Sequence, residues 1–553
     1  MSSSQKKFAD RKGIGHFRVQ GWTVLVVAIA AAIASPVVVV LSSIFFHTPK
    51  SAKVWGHLSS TVLGGYIANS LWLMLGVTVG VLTLGVGTAW LVTMCRFPGS
   101  RWFEWALLLP LAAPAYLLAY TYTELLDFYG PVQRILRAIF GWSSVNDYWF
   151  PNIRSLWGAI VMMSLVLYPY VYLLARVAFL EQSVCTLEAS RSLGRGPWAS
   201  FATIALPLAR PAIAAGLALA LMEALNDFGT VQHFGVNTLT TGIYRTWVGM
   251  DSKLAASQLA SVLMLFIFGL IILERWSRSQ SRYYQTSNST QKLLTYSLFG
   301  LRATLASLAC LLPVTLGLLL PAAELLRLTV SNASDTLDKQ FWILSKHSLI
   351  LAGITAAIAV MIAIIMAYGL RLNGHLGMRL GVRIASMGYA VSGLAIAAGI
   401  ARSIGQIDKF SIFPNLRISG TISALVLAYL VRFLAISFNT VDSGLAKIKP
   451  NLDDAARSLG YSPTATLLKV HAPMMRGSLL TAALLVFVDV MKELSATLML
   501  RPFNFDTLAT QVYRYASDER LAEASGPALA IVLVGILPVM LLSWRIARSR
   551  SRT

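Results

Sequence analysis

The chain has 553 residues, of which 56% are hydrophobic and 13% are charged. Soluble domains carry about 25% charged residues, so this composition excludes an ordinary soluble enzyme. The formal net charge of +22 does not indicate nucleic-acid binding, because the Lys and Arg residues form short clusters between long apolar runs. The composition therefore predicts a polytopic membrane protein.

Apolar runs long enough to cross about 30 Å of hydrocarbon predict an all-α fold with about twelve transmembrane helices. The predicted spans lie near 22–46, 70–95, 103–126, 155–180, 210–231, 257–274, 297–325, 347–370, 381–401, 419–439, 477–500 and 527–544. We interpret the first span as an uncleaved anchor, because its apolar run is longer than that of a signal peptide. A GxxxG pattern, Gly76 to Gly80, lies in the second span and predicts close helix packing.

The distribution of basic residues predicts the orientation of the chain. Lys and Arg are more frequent in the segments that face the cytoplasm if the N-terminus is cytoplasmic. Residues 1–21 form a basic N-terminal segment, and residues 547–553 form a basic tail after the last span. The positive-inside rule therefore predicts that both termini are cytoplasmic.

The chain contains an internal repeat. Residues 188–194 read EASRSLG, and residues 454–460 read DAARSLG. In both copies a proline follows the closing glycine after 13 residues and an arginine follows after 16. Upstream, the sequence NSL at 69–71 matches HSL at 347–349, and downstream TLTTGIYR matches TLATQVYR. Co-linear agreement over this length indicates a duplication.

The duplication predicts the domain organisation. The first half is residues 22–280 with its loop at 186–210, and the second half is residues 297–546 with its loop at 452–476, joined by a cytoplasmic linker at 281–296. Six predicted spans per half make the two copies parallel, and such a repeat places a pathway between the halves. The repeated loops occupy equivalent cytoplasmic positions, which predicts a pair of equivalent contact surfaces.

The repeated motif resembles the EAA loop of permease subunits from binding-protein-dependent ABC importers, and the resemblance covers nearly the whole chain. It implies the type I importer permease fold, in which each loop forms a short coupling helix that docks on an ATPase subunit. The loop residues that match are Glu188, Ala189, Arg191, Gly194, Pro207, Asp454, Ala455, Arg457, Gly460 and Pro473. The departures from the family pattern are Ser190 for the second alanine and Asp454 for glutamate.

The residues of the two loops are physically suited to a short helix. Good helix formers are preceded by acidic residues, which complement the helix dipole, and are followed by a glycine that can adopt a positive φ. The structural alternative is an amphipathic connector that ends at a glycine and has no partner.

The resemblance also implies partners and a location. The chain has no GxxxxGK[ST] motif, so the phosphate-binding loop of an ATPase is absent from it. The implied assembly has two copies of an ABC ATPase subunit, which carry the ATP and Mg²⁺, and a periplasmic substrate-binding protein. The chain itself is expected to be a transporter permease of the bacterial inner membrane, with no enzymatic activity and no bound cofactor.

The substrate is indicated by a narrower resemblance. Fusion of two permease halves in one chain, together with the stretches 226–247 and 491–518, is most similar to the ferric-iron permeases. The same architecture also occurs in thiamine permeases, so thiamine or another small solute is an alternative substrate. A second alternative is an ion-coupled secondary transporter, which would explain parallel halves and intramembrane acids but would give the repeated loops no role.

Four acidic residues in the fifth and eleventh predicted spans are candidates for the substrate pathway. Glu223 and Asp227 in the first half correspond to Asp489 and Glu493 in the second. The spacing i,i+4 predicts that each pair shares one helix face, and hard carboxylate oxygens suit a trivalent cation.

Two structural alternatives remain for these acids. They could be neutralised by Lys492 or Arg432, or they could lie at the outer mouth of the protein. The sequence indicates no resident metal site, and His233 and His471 receive no role.

Overall fold

The structure is a computed structural model that describes residues 3–181, 196–279, 296–410 and 420–550. Over these ranges the chain is almost entirely helical. A single parallel strand pair joins β1 (Cys95–Arg96) to β2 (Tyr296–Ser297). The predicted all-α membrane fold is confirmed.

Long and short helices both occur between residues 3 and 279. They are α1 (Ser3–Ser42), α2 (Pro49–His57), α3 (Leu63–Met94), α4 (Ser100–Ala106), α5 (Ala115–Leu126), α6 (Pro131–Phe140), α7 (Leu156–Glu181), α8 (Pro197–Ser200), α9 (Leu206–Asn226), α10 (Gly229–His233), α11 (Leu239–Val248) and α12 (Lys253–Ser279). Short 3₁₀ or π turns lie at Ser43–Phe45, Leu58–Val62, Leu109–Ala112, Val145–Asp147 and Phe201–Ala205.

Long and short helices also occur after residue 296. They are α13 (Leu301–Val314), α14 (Leu320–Ser331), α15 (Ala333–Thr336), α16 (Lys339–Leu372), α17 (Leu376–Ala385), α18 (Gly393–Phe410), α19 (Ile422–Ala446), α20 (Asn451–Ser458), α21 (Pro463–Thr466), α22 (Ala472–Lys492), α23 (Ser495–Leu500), α24 (Leu508–Ser517) and α25 (Leu521–Arg550). Short turns lie at Thr315–Leu319, Gly388–Ala390 and Leu467–His471.

Ten helical segments in the described ranges are long and apolar enough to cross a membrane. They are Gly21–Phe45, Pro49–Met94, Leu156–Leu180, Trp198–Asn226, Lys253–Ser277, Leu301–Ser331, Lys339–Leu372, Ile422–Ala446, Pro463–Lys492 and Leu521–Leu541. An eleventh is counted if the pair Ser100–Ala112 and Ala115–Phe140, bent by 89°, forms one span. The described residues therefore contain ten or eleven candidate spans, where the sequence predicts about twelve.

The difference lies in the predicted spans near 103–126 and 381–401, which are both interrupted. In the first, Pro114 follows Ala113, whose ψ of 127° is extended. The residue before a proline is forced out of the helical region, so the helix breaks there. In the second, the chain turns at Gly388, where a Cβ atom would lie 1.7 Å from the carbonyl oxygen of Val431. A larger residue cannot occupy that contact.

The described helices group into two compact units. One contains residues 1–47 and 345–507, and the other contains residues 48–344 and 508–553. In the first unit, α1 packs against α17 and α18, and α19 packs against α22. In the second, α3, α7 and α9 pack together, and α25 packs against α14 and α24. The predicted halves describe a repeat in sequence, whereas each compact unit takes helices from both halves.

The GxxxG pattern of α3 lies at a helix contact. A Cβ atom at Gly76 would meet Ile160 at 2.4 Å, and one at Gly80 would meet the Ser164 hydroxyl at 2.1 Å. Both neighbours belong to α7. The two glycines therefore allow α3 and α7 to approach closely, which confirms the predicted packing role.

Candidate functional site

The second repeated loop contains a short, exposed helix. Helix α20 carries Asp453 and Asp454 in its first turn, where carboxylates complement the helix dipole. The helix ends at Ser458, and Gly460 follows with a φ of 82°. The N–H of Gly460 donates to the carbonyl of Arg457, and the N–H of Tyr461 donates to the carbonyl of Ala456. These two bonds form a Schellman motif, so the predicted helix and its glycine stop are confirmed.

The outer surface of α20 combines charge with exposed apolar area. Asp454 and Arg457 form an exposed ion pair along the helix. Leu452 is 37% exposed, Leu459 is 77% exposed and Tyr461 is 39% exposed. Apolar side chains flanked by charges are typical of a surface that contacts another protein.

The first repeated loop can be compared with the second only in part. Glu188, Ala189, Arg191 and Gly194 lie outside the described residues. Pro207 lies in the first turn of α9, and Pro473 lies in the first turn of α22. Each follows a π-helical turn, at Phe201–Ala205 and at Leu467–His471. Because proline provides no N–H and clashes with the preceding turn, the helix widens at the same place in both repeats.

Asp453 of α20, which the sequence analysis did not single out, contacts side chains outside its own helix. Asp453 Oδ2 accepts hydrogen bonds from Nε and Nη2 of Arg371, at 2.8 and 2.6 Å. His471 Nε2 lies 2.6 Å from Asp453 Oδ1, and the His471 side chain is fully buried. His471 is therefore a structural partner of the second loop.

Each pair of predicted pathway acids lies at the C-terminal end of one helix. Helix α9 ends at Asn226 and Asp227 is extended, with a ψ of 132°. Helix α22 likewise ends at Lys492, and the ψ of Glu493 is 116°. The N–H of Asp227 still donates to the carbonyl of Glu223 at 3.0 Å, so the second acid of each pair is the C-cap of the helix that carries the first.

Asp227 and Glu493 also cap the short helices that follow them in the chain. Asp227 Oδ1 accepts a hydrogen bond from the N–H of Thr230 at 2.9 Å, and Glu493 Oε1 accepts one from the N–H of Ala496 at 2.9 Å. The two contacts occupy equivalent places in the repeat. Glu223 and Asp489 remain within their helices and are partly exposed.

Glu493 has a second partner, Arg432. The first repeat has no arginine at the position aligned with Arg432. Arg432 Nη1 lies 2.8 Å from Glu493 Oε2, and the two side chains are 9% and 5% exposed. A Cβ atom at Gly393 would lie 2.6 Å from both Arg432 Nη1 and Glu493 Oε1, so glycine leaves room for the pair. For Glu493 the ion-pair alternative is therefore the observed arrangement.

A polar cavity at the ends of α5, α10 and α24 was not predicted from the sequence. Its volume is about 120 Å³, and it is lined by Tyr120, Thr123, Glu124, Asp127, Arg154, His233, Ala516, Glu519 and Leu521. Both Nη atoms of Arg154 donate to Oε1 of Glu519 at 3.1 Å. Glu519 has a φ of 60°, an uncommon conformation for a residue with a side chain. The residues that line the cavity come from separate segments of the chain, so no local sequence pattern predicts it.

His233 and Tyr120 form the inner wall of this cavity. His233 Nε2 lies 3.1 Å from the Thr123 hydroxyl, and the rings of His233 and Tyr120 are 4.6 Å apart. Burial, with the nearby charge of Arg154, lowers the pKa of His233 to about 4. The imidazole is therefore neutral at physiological pH. Within the described ranges, no three His, Cys, Asp or Glu side chains lie close enough together to hold a metal ion.

Long apolar helices, parallel sequence repeats and an exposed helix in a repeated loop define a membrane permease. The chain belongs to the family described as the binding-protein-dependent transport system inner membrane component, which matches residues 82–279. It is thus a transporter component of the inner membrane and not an enzyme.

Several curated relatives are similar to this chain. The Fe(3+)-transport system permease protein FbpB 2 of Haemophilus influenzae is 27% identical over 489 residues, which cover 86% of this chain and 89% of the relative. The ferric transport system permease protein FbpB of Actinobacillus pleuropneumoniae is 23% identical over 94% of this chain and 77% of its own. The putative 2-aminoethylphosphonate transport system permease protein PhnV of Salmonella typhimurium is 30% identical over 36% of this chain and 68% of its own.

Proposed function

We propose that this chain is the membrane-spanning subunit of an ATP-driven importer that moves ferric iron from a periplasmic binding protein to the cytoplasm. The observation that carries the ATP-driven part is helix α20, an exposed short helix with acids in its first turn and a Schellman stop at Gly460. A duplicated loop of this kind suits a pair of ATPase subunits. The ATP and Mg²⁺ would be bound by those subunits, and this chain would bind no cofactor.

Ferric iron is favoured by the extent of the similarity. The relatives whose names specify Fe(3+) or ferric transport align with 86% and 94% of this chain, whereas the aminoethylphosphonate relative aligns with 36%. The ferric relatives therefore span both repeats, whereas the aminoethylphosphonate relative does not. The identities of 27% and 23% support the shared architecture more strongly than the shared substrate, so a direct transport assay is required.

The proposed path uses two groups of polar residues. In the predicted topology, the cavity around Glu124, Asp127 and Glu519 faces the periplasm, where hard oxygen donors would attract a trivalent cation. Glu223 and Asp489 are proposed to line the passage, since both are partly exposed within apolar helices. Asp227 and Glu493 would hold the short helices α10 and α23 in place beside it.

The orientation is part of the same proposal. Both termini and both repeated loops would be cytoplasmic, and the loop between α5 and α7 would be periplasmic. The basic residues after the last span, Arg545, Arg548, Arg550 and Arg552, support this orientation by the positive-inside rule.

Reconstitution tests the proposal. The chain is placed in liposomes with its candidate ATPase inside and its candidate ferric-binding protein outside, and uptake of radioactive iron is measured with and without ATP. We expect uptake that requires all three proteins and ATP. Uptake by the chain alone, driven by an ion gradient, would establish a secondary transporter instead. ATP-dependent uptake of thiamine without uptake of iron would retain the importer and replace the substrate.

A further inference from the structure

The contacts of Asp453 connect helix α20 to three long helices of its compact unit. Arg371, in the last turn of α16, donates two hydrogen bonds to the Asp453 carboxylate. The same guanidinium donates from Nη1 to the carbonyl of Leu445 at 2.7 Å and from Nη2 to the carbonyl of Ile448 at 2.9 Å. The Leu445 carbonyl belongs to the end of α19, where helices leave carbonyl groups without internal partners.

His471 supplies the third connection. It ends the π-helical turn before α22, and its Nε2 lies 2.6 Å from Asp453 Oδ1. Its ring is also 5.4 Å from the ring of Tyr368, one turn before Arg371 on α16. The side chains of Arg371, Asp453 and His471 are 17%, 20% and 0% exposed, so water screens these contacts only weakly. We call Arg371, Asp453 and His471 the polar clasp.

The aligned positions of the first repeat carry no charged side chain. The upstream match of Asn69 with His347 aligns Arg371 with Thr93, and the loop match of Gly194 with Gly460 aligns Asp453 with Leu187 and His471 with Ala205. Leu187 lies outside the described residues, but none of these three side chains can carry a charge.

Aromatic side chains surround the position in the first repeat that corresponds to Tyr368. Trp90 corresponds to Tyr368, and its ring lies 5.6 Å from Phe179 and 4.8 Å from Phe201. Phe201 also lies 6.3 Å from Trp198 in α8. These contacts are apolar and depend little on direction, whereas the guanidinium fork of Arg371 fixes both distance and angle.

We propose that Asp453 is a positioning residue, and that the polar clasp transmits movement of α20 to α16, α19 and α22 of the second repeat. This inference rests on the proposed function, because it assumes that α20 docks on an ATPase subunit. The second loop is tied to its membrane helices by directional charged contacts, whereas the described residues at the positions aligned with Arg371 and His471 are Thr93 and Ala205.

The experiment compares iron uptake per ATP hydrolysed in the reconstituted complex. Asp453→Asn keeps the size of the side chain but removes the charge that Arg371 requires. We expect the complex to assemble and hydrolyse ATP, while uptake per ATP falls about fivefold or more, within the usual range for loss of coupling between sites. Asp453→Glu retains the charge and should recover part of the loss.

Two variants serve as matched controls. Thr93→Val removes the polar atom at the position that corresponds to Arg371, and Asp442→Asn removes the same charge from an exposed position on α19. Neither should change uptake per ATP. If Asp453→Asn does not fold, uptake per ATP is measured in Arg371→Lys. Lysine preserves the positive charge but lacks the planar guanidinium that contacts Asp453 and two carbonyls at once. Arg371→Lys should also uncouple the complex.

The outcomes separate this inference from the proposed function. Unchanged uptake per ATP in Asp453→Asn or Arg371→Lys, with the wild-type complex ATP-driven, overturns the clasp alone. A lower melting temperature with unchanged uptake per ATP also overturns it, because the contacts would then only stabilise the fold. Failure of the wild-type chain to bind an ATPase overturns the proposed function and the clasp together.

Discussion

The guanidinium of Arg432 lies 2.8 Å from the carboxylate of Glu493, and both side chains are almost completely buried. This contact joins α19 to the segment between α22 and α23. At the equivalent place in the first repeat, Asp227 caps α10, and the residue that aligns with Arg432 is Val166. The repeat therefore preserves the capping carboxylate and changes its charge partner.

The first prediction concerns that buried pair. Glu493→Gln leaves the Arg432 charge without its partner, which should lower the free energy of unfolding by about 3–5 kcal/mol. The melting temperature in detergent should fall clearly, while Glu223→Gln should change it little. The double variant Glu493→Gln with Arg432→Met should recover most of the stability. A melting temperature unchanged in Glu493→Gln would mean that the pair does not stabilise the fold.

The second prediction concerns the proposed path. Glu223→Gln and Asp489→Asn preserve side-chain size but remove a charge that favours a trivalent cation in a low-dielectric passage. Uptake of iron per folded transporter should fall about tenfold or more in each, equivalent to about 1.4 kcal/mol or more. Asp442→Asn is the control for loss of an acid elsewhere. Normal uptake in both variants would remove these residues from the path.

The third prediction concerns Gly460. Its φ of 82° is unfavourable for residues with a Cβ atom, although a Cβ there would contact nothing within 4 Å. Gly460→Ala should therefore destabilise the end of α20 by about 1–2 kcal/mol through backbone strain alone. Binding of the ATPase should weaken in a pull-down titration. Gly353→Ala, at an open helical position, is the matched control and should bind normally.

These three cases also explain which features the sequence could predict. The Gly460 stop and the prolines at 207 and 473 were predictable, because a helix end depends on residues within one or two turns. Asp453 was missed because its partner Arg371 is 82 residues away and only tertiary packing brings them together. The capping contacts of Asp227 and Glu493 were missed because apolar composition continues past the helix end, so the composition does not show where the helix stops.

The fourth prediction concerns orientation. In a background with Cys95, Cys185 and Cys310 replaced, single cysteines at exposed positions report their side of the membrane. Ala199→Cys and Ser458→Cys should resist an impermeant thiol reagent in intact cells, and Asn146→Cys and Ser334→Cys should react. All four positions are exposed in the structure, so burial does not explain a lack of reaction. Labelling of Ser458→Cys from outside would contradict both the topology and the coupling role.

The last prediction concerns His233 and pH. Its pKa is lowered from 6.5 to about 4, with burial as the largest cause and Arg154 as the second. The unfolded chain therefore binds more protons than the folded one between these values. The contribution of His233 to stability is complete above about pH 6.5 and is lost as the pH falls towards 4.

The measurement is the melting temperature of the purified chain at several pH values from 7.5 to 4. Wild type should lose stability across this window, because the unfolded chain takes up a proton that the buried site beside Arg154 disfavours. His233→Gln keeps a polar group near Thr123 but cannot titrate, so its melting temperature should fall less over the same range. Equal pH dependence in the two proteins would show that other groups account for the loss, and that the cavity accommodates a protonated His233.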